Sequence, residues 1–484
     1  MEFIKQNIWP ILFIINYAIA ISAIVIILLK NKNPTKTVSY ILVLAIFPFF
    51  GPVVYYLFGQ QYRKTKIFDR KHVANSEVVK TFEERLKFDG SDYSQVKELL
   101  NGKVQIVNLL KENHNALLSQ NNEVDIIRNG ENKFKRLFKE LRSAKKYIHL
   151  EYYVLEDGET GTELIEIICE KAKEGLEVLL TYDDVGSRIS RSLKQKLSNS
   201  GVKHQPFMPV LFSSLTGKSN YRNHRKIAII DGEIGYVGGI NVSDEYVNGV
   251  GNKNPYWRDT HLRLCGQAVK ALQFHFLTTW DFVTEDKVEV KSEYFDDFEC
   301  EGKVPVQITA SGPDTDWPNI MEAILTAINN ATDYVYITTP YFIPNDQIIS
   351  ALQIASKIGL DVRIIIPEVS DSWIAEHATF SFLEPLLEAN VKVYLYKKGF
   401  IHAKTMAVDD IFSSVGTCNL DNRSFNINFE INALIYNEEK TKELKAHFEE
   451  DLKDCEELDL ERWKERSKWC KLQESVARLG APLL

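Results

Sequence analysis

The chain has 484 residues, is 45% hydrophobic and 26% charged, and carries a formal net charge of −8. That length accommodates a membrane segment and two domains of ordinary size. Its acidic balance argues against DNA or RNA as the substrate, because nucleic-acid binders normally present a basic face. The six cysteines are Cys169, Cys265, Cys300, Cys418, Cys455 and Cys470. None lies in a CxxC or other zinc spacing, and in a large chain without a cleavable leader they read as free thiols of a reducing compartment. Cys418 reads as a small strand residue.

From the N-terminus, Ile8 to Leu29 is a 22-residue stretch without charge, and Thr37 to Tyr62 a 26-residue one. Each is long enough to cross a hydrocarbon core of roughly 30 Å as a helix. Only Lys30 to Lys36 joins them, so an antiparallel transmembrane hairpin is expected. Pro48, Gly51 and Pro52 should kink or break its second arm. A signal peptide is disfavoured by the length of the apolar run and the lack of a small-residue cleavage site. Lys5, Arg63, Lys64, Lys66, Arg70 and Lys71 flank one side against Lys30, Lys32 and Lys36 on the other. The excess places the N-terminus and all residues after 63 in the cytoplasm of a multi-pass membrane protein. The basic cluster after Arg63 could also touch anionic headgroups.

Residues 1–72 thus form the hairpin and its flank, and 73–118 a polar, helical connector. Two repeats follow, 119–283 and 304–484, joined by an acidic linker over 284–303. In the first, Ala144–Tyr153 reads as a strand, Thr162–Glu174 as a helix and Leu176–Tyr182 as a strand. In the second, Ala331–Tyr341, Ile348–Ile358 and Val362–Ile366 repeat the order. Strand–helix–strand units predict an α/β fold of mixed, largely parallel sheets flanked by helices. The Tyr147/Tyr334 offset exceeds the offset between the downstream motifs by nine residues. The stretch Gly186–Arg222, with its serines, is expected to hold the surplus as a loop beside the catalytic strand.

The chemistry-bearing residues also come in duplicate. Counted from His224, Lys226 falls at +2, Asp231 at +7, Gly238 at +14 and Asn241 at +17. Counted from His402, Lys404, Asp409, Gly416 and Asn419 fall at the same offsets. One HxK is noise, whereas two copies agreeing at five positions indicate a duplicated domain contributing one half-site each. His and Lys two apart on a strand share a face. That pairs a nucleophile with a fixed cation, as phosphodiester chemistry requires where no metal serves. Asp231 and Asp409, at an odd offset and in turns, are motif members with a structural or electrostatic task rather than proton shuttles. Each HxK strand is expected to run into a hairpin, with Asp231-Gly232 as the first turn.

At these residues the chain resembles the phospholipase D superfamily, and within it the bacterial cardiolipin synthases. The resemblance spans nearly the whole sequence. It includes Gly51-Pro-Val-Val-Tyr-Tyr-Leu-Phe-Gly59, Tyr221-Arg-Asn-His-Arg-Lys226, Gly238-Gly-Ile-Asn241 and Tyr256-Trp-Arg-Asp-Thr-His261. It continues through Ser311-Gly-Pro-Asp314, Pro340-Tyr-Phe-Ile-Pro344, Asn428-Phe-Glu430 and Ala477-Arg-Leu-Gly-Ala-Pro-Leu-Leu484. It implies a pseudo-twofold site in which one histidine, by analogy His224, attacks phosphorus, while His402 serves as acid and base. Lys226, Lys404, Asn241 and Asn419 would hold the non-bridging oxygens. Asp259 and Glu430, 35 and 28 residues after His224 and His402, would each hydrogen-bond the histidine they follow and fix its tautomer. Trp257, Tyr341, Phe342 and Trp373 could line an acyl or headgroup pocket, or simply pack in the core. The implied reaction joins two phosphatidylglycerol molecules, donor and acceptor, into cardiolipin and glycerol, with no cofactor and no metal. A hydrolytic phospholipase D uses the same motifs. A tethered nuclease or an inactive lipid-binding scaffold fits the sequence less well. Oligomeric state is not encoded in these motifs.

Overall fold

The computed structural model describes residues 8–29, 34–47, 49–51, 97, 100, 104–111, 116–208, 221–250, 255–284, 289–298, 300–315 and 317–481. The chain divides into an N-terminal unit within Met1–His72 and a second unit comprising Val73–Ser213 and Lys218–Leu484.

In the N-terminal unit, helix Ile8–Leu29 contains one stretch, Pro10–Leu29, long and apolar enough to cross a membrane. The second helix, Pro34–Ile46, has 13 residues. At about 1.5 Å rise per residue it is too short to span. A two-span hairpin is therefore not present among the described residues. The helix ends just before Pro48, as steric conflict between proline and the preceding turn dictates. Phe49 meets Phe13 edge-on at 5.0 Å between ring centroids. The rest of the expected second arm and the basic cluster Arg63–Lys71 lie outside the described residues.

The second unit is built from two sheets with one topology. The first runs Asn122–Arg128, Thr260–Gly266, Ile234–Gly238, Ile227–Ile230, Tyr147–Tyr152, Glu177–Asp183, Lys203–Phe207. The second repeats those seven places as Val306–Ser311, Glu430–Tyr436, Phe412–Gly416, Thr405–Val408, Tyr334–Thr338, Asp361–Pro367, Lys392–Tyr396. It adds Leu118–Ser119 and Cys455–Glu457 at its edges. In each seven-strand set, two neighbour pairs are parallel and four antiparallel. The sheets are mixed, as expected, but antiparallel pairs outnumber parallel ones, which corrects the expectation of largely parallel sheets. Helical crossovers make only the strand–helix–strand third parallel, whereas tight turns force the motif hairpins to be antiparallel.

The surplus stretch 186–222 is not a plain loop. It contains helix Arg191–Asn199, whose first turn is capped by the Ser190 side chain accepting from the Leu193 N–H, and the edge strand Lys203–Phe207. Serines that suggest a loop here serve as a cap. Residues 209–220 lie outside the described set.

Within the connector, helix Val104–Lys111 buries Ile106, Val107 and Leu110 in the core of the second repeat, against Ile320 and Ile324. The inter-repeat segment buries Tyr294 and Phe295. Cys300 of that segment is disulfide-bonded to Cys265. This corrects the reading of six free thiols; Cys169, Cys418, Cys455 and Cys470 remain free. Pairing needs only that two β-carbons approach, which residues 35 apart achieve through the fold and not through a sequence motif. One apolar core runs between the two sheets, joining Ile227, Ile229 and Val237 to Ala407, Val415 and Ile431. The two repeats therefore meet through the sheets that carry the motifs.

Candidate active site

Each HxK segment is an extended lead-in to its strand rather than part of it. His224–Lys226 precede Ile227–Ile230, and His402–Lys404 precede Thr405–Val408. The strands then turn tightly. Asp231 and Gly232 have φ of 55° and 73°, and Asp409 and Asp410 both have 51°. Each pair of left-handed residues forms the centre of a tight turn, closed by Glu233 N–H donating to the Ile230 carbonyl at 3.0 Å and by Ile411 N–H donating to the Val408 carbonyl at 3.2 Å. Asp231 accepts the backbone N–H groups of Lys145, Lys146 and Tyr147 at 2.8, 2.7 and 3.0 Å. Asp409 does the same for Thr332, Asp333 and Tyr334 at 2.7, 2.9 and 2.9 Å. Both aspartates thus sit at the far end of the strand from the histidine and tie down the start of the neighbouring strand. Gly238 and Gly416 leave no space for a β-carbon, which would lie 2.6 Å from His261 Cα and 2.1 Å from Asn432 Oδ1.

The histidines are placed by a reciprocal clasp between the repeats. His224 N–H donates to Phe429 O at 2.9 Å, and Phe429 N–H to Arg222 O at 2.9 Å. His402 N–H donates to Arg258 O at 2.7 Å, where strands Tyr256–Arg258 and Gly399–Ile401 pair in parallel. The residue after each acceptor is an acid. Glu430 Oε2 lies 2.9 Å from Nδ1 of His224, and Asp259 Oδ2 lies 2.8 Å from Nδ1 of His402. Each repeat therefore supplies the carboxylate for the other repeat's histidine, which corrects the expectation that each acid serves the histidine it follows in sequence. A carboxylate at Nδ1 holds the proton there and leaves Nε2 as the free lone pair. Glu430 is itself held by the Thr417 hydroxyl at 2.5 Å.

All four motif side chains are buried. Lys226 and Lys404 each donate to the backbone carbonyl of their own histidine at 2.5 Å. Burial lowers the Lys226 pKa to about 7 and that of Lys404 to about 8, against the pull of Asp259 and Glu430. Burial, reinforced by the lysine charges, lowers both histidines to about 4. Burial opposes ionisation of Glu430, but His224 and Lys226 outweigh it and hold its pKa below the ordinary value. Buried lysines with depressed pKa values beside neutral imidazoles make a pocket suited to an anion.

Arg225, between His224 and Lys226, turns the other way. Its guanidinium reaches Thr279 and the Glu430 carbonyl, while Thr279 and Asn223 both donate to the buried Glu151. Asn241 accepts from Val154 N–H at 3.1 Å and donates to the Tyr246 hydroxyl at 2.7 Å, so both ends of its amide serve the protein. Asn419 keeps a buried Oδ1 without a partner. Tyr246 stands edge-on to His402 at 5.4 Å, and Tyr153 to His224 at 4.9 Å. Trp257 reaches the site, 5.7 Å from His402. Phe342 is core, and Trp373 lies on the surface against His377. Tyr341 donates to Asp371. Tyr153, Tyr246 and Thr417 were not anticipated. Only Thr417 had a sequence cue, its place beside Gly416; tyrosines are too common for position alone to mark them.

Duplicated mixed sheets that share one buried His–Lys pocket are the architecture of the phospholipase D superfamily. A family model described as "Cardiolipin synthase, PLD-like domain" matches residues 137–280 and 324–452, and a phospholipase D-nuclease N-terminal model matches 18–60. Cardiolipin synthase 2 of Bacillus anthracis is 40% identical over 464 residues, 95% of this chain and 89% of its own. Cardiolipin synthase of Listeria monocytogenes serotype 4a is 38% identical over 470 residues, 96% of each chain. Phosphatidylserine synthase of Haemophilus influenzae shares the fold, with a TM-score of 0.60 at 15% identity, covering 78% of this chain and all of that one. The chain belongs to the bacterial cardiolipin synthases of this superfamily.

Proposed function

We propose that this phosphatidyltransferase makes cardiolipin from two phosphatidylglycerol molecules through a phosphohistidine. The observation that carries the reading is the pair of buried imidazoles, each held at Nδ1 by a carboxylate from the opposite repeat. His224 Nε2 attacks the phosphorus of the donor and breaks the bond to the glycerol headgroup, whose oxygen takes a proton from His402. The arriving phosphodiester anion favours the protonated form of His402 that this step needs. His402 then removes a proton from the terminal hydroxyl of the second phosphatidylglycerol, whose oxygen attacks phosphorus and frees His224. One phosphodiester replaces another, so the reaction is reversible and near balance. Lys226 and Lys404 neutralise charge on the equatorial oxygens. Asp259 and Glu430 orient the imidazoles and stabilise the cationic forms. Asn419, with its unpartnered oxygen, belongs to the pocket wall, and Asn241 acts through Tyr246.

The enzyme is a membrane protein with an apolar N-terminal helix. We place it as a multi-pass protein with both repeats on the cytoplasmic side, supported by the excess of basic residues on that flank. The deciding experiment is product analysis by mass spectrometry, with phosphatidylglycerol in mixed micelles and chelator present. Cardiolipin plus glycerol, absent with H224A and with H402A, is expected. Phosphatidic acid as the sole product would make the site a hydrolase and overturn the proposal.

A further inference from the structure

The C-terminal helix Lys468–Leu479 is turned inside out. Its buried residues are Glu474 and Ala477. It docks on the body through polar groups: Arg466 to Glu474, Lys471 to Glu384 at 3.8 Å, and Arg478 to the Ser381 carbonyl at 3.1 Å and over the Phe382 ring at 4.3 Å. Its apolar stripe, Trp469, Leu472, Val476 and Leu479, faces outward and is between 53% and 81% exposed. Spacings of three and four put these four side chains on one face. A surface helix of a water-bound body would present the opposite face.

The neighbouring helix Trp373–Phe380 packs against it and adds Trp373 and Ile374, each about half exposed. Two exposed tryptophans on adjoining helices have the amphipathic character of the membrane–water boundary. The charge agrees. The helix carries Lys468, Lys471 and Arg478, of which Lys471 and Arg478 also bond to the body, and its only acid, Glu474, is buried against the protein. In a chain of net charge −8, a cationic and apolar face complements an anionic lipid surface.

The face is also joined to the site. Asp371, two residues before Trp373, accepts from the Tyr341 hydroxyl at 2.7 Å, and its charge acts on Lys404 and Tyr246. Tyr246 stands against His402.

We propose that the helix Lys468–Leu479, with Trp373 and Ile374 beside it, is a docking face that seats the catalytic unit on an anionic phospholipid surface. The proposal rests on the reading that the substrate is a membrane lipid. Docking brings the catalytic unit to the surface where the headgroups already lie and spares each lipid a full exit into water.

The test uses the full chain in phosphatidylcholine nanodiscs with and without phosphatidylglycerol. A bimane probe is placed at L472C in a C470S background, and quenching by brominated acyl chains is read. Quenching is expected, stronger with phosphatidylglycerol present. In parallel, W469S/L472S/V476S is expected to keep the unfolding temperature of wild type and to lose about tenfold in kcat/KM on nanodisc lipid, as loss of interfacial contact implies. An unquenched probe overturns the proposal. So does an unquenched probe accompanied by self-association that the triple variant abolishes, which would assign the face to a second copy of the chain. A quenched probe on a wild-type enzyme that makes no cardiolipin supports docking and removes the catalytic reading instead.

Discussion

The two half-sites share a backbone plan and differ in what surrounds the imidazole. His224 and His402 each donate a backbone N–H across the repeat boundary, at 2.9 and 2.7 Å, and each takes its carboxylate from the residue after the acceptor. His224 is flanked by Tyr153 and backed by a glutamate that Thr417 holds. His402 is enclosed by Tyr246, Trp257 and Phe400, with centroids 5.4, 5.7 and 5.9 Å away, and is backed by an aspartate. Duplication thus fixed the geometry that both halves need, the charge and the tautomer. Divergence was left to the walls, where the two histidines can take unlike duties.

The strongest way to break this comparison is to remove each histidine in turn. H224A and H402A should each lower turnover by at least about 10³-fold, the scale of losing a nucleophile or a general acid. They should differ in one respect. H402A still forms a phosphohistidine that intact-protein mass spectrometry detects, and H224A forms none. A covalent adduct in H224A alone would reverse the assigned roles.

Next in size are the crossed acids. E430Q and D259N should reduce kcat by on the order of 10²–10⁴-fold, with KM little changed, because an amide no longer enforces the Nδ1–H tautomer. If the crossing holds, E430Q should slow phosphohistidine formation as H224A does, and D259N should resemble H402A. The opposite correspondence in single-turnover kinetics would mean that each acid serves its own repeat.

A smaller effect concerns the lysines. Burial lowers the pKa values of Lys226 and Lys404 to about 7 and 8. A bound anion raises both, so binding takes up protons and tightens as pH falls through 8 and then 7, flattening below. Calorimetry of tungstate binding in buffers of different ionisation enthalpy should show net proton uptake at pH 8. Uptake that survives in a K226M/K404M variant would assign it elsewhere.

The smallest expected effect sharpens the comparison by showing what lies outside the chemistry. D231N and D409N each weaken three backbone hydrogen bonds at a turn, so each should cost about 1–3 kcal/mol of stability. The kcat of the folded fraction should be unchanged. A large fall in kcat without a fall in unfolding temperature would bring these aspartates into the mechanism.

What the sequence determined by itself is what neighbours along the chain control. The repeat, the HxK lead-ins, the left-handed turns at Asp231-Gly232 and Asp409-Asp410, and the strand–helix–strand order follow from local spacing, residue type and turn chemistry. The tertiary structure decided everything whose partner is remote. Glu430 meets His224 across 206 residues and Asp259 meets His402 across 143. Spacing from each acid to its own histidine gives no hint of that exchange. The same holds for the Cys265–Cys300 pair, for the direction of strand neighbours, and for the outward turn of the 469–479 stripe. A periodic apolar stripe says that a helix has one greasy face. Only the packing of the two halves says whether that face is turned to the core or to the surroundings, because burial depends on the shape of the whole and not on the order of the residues.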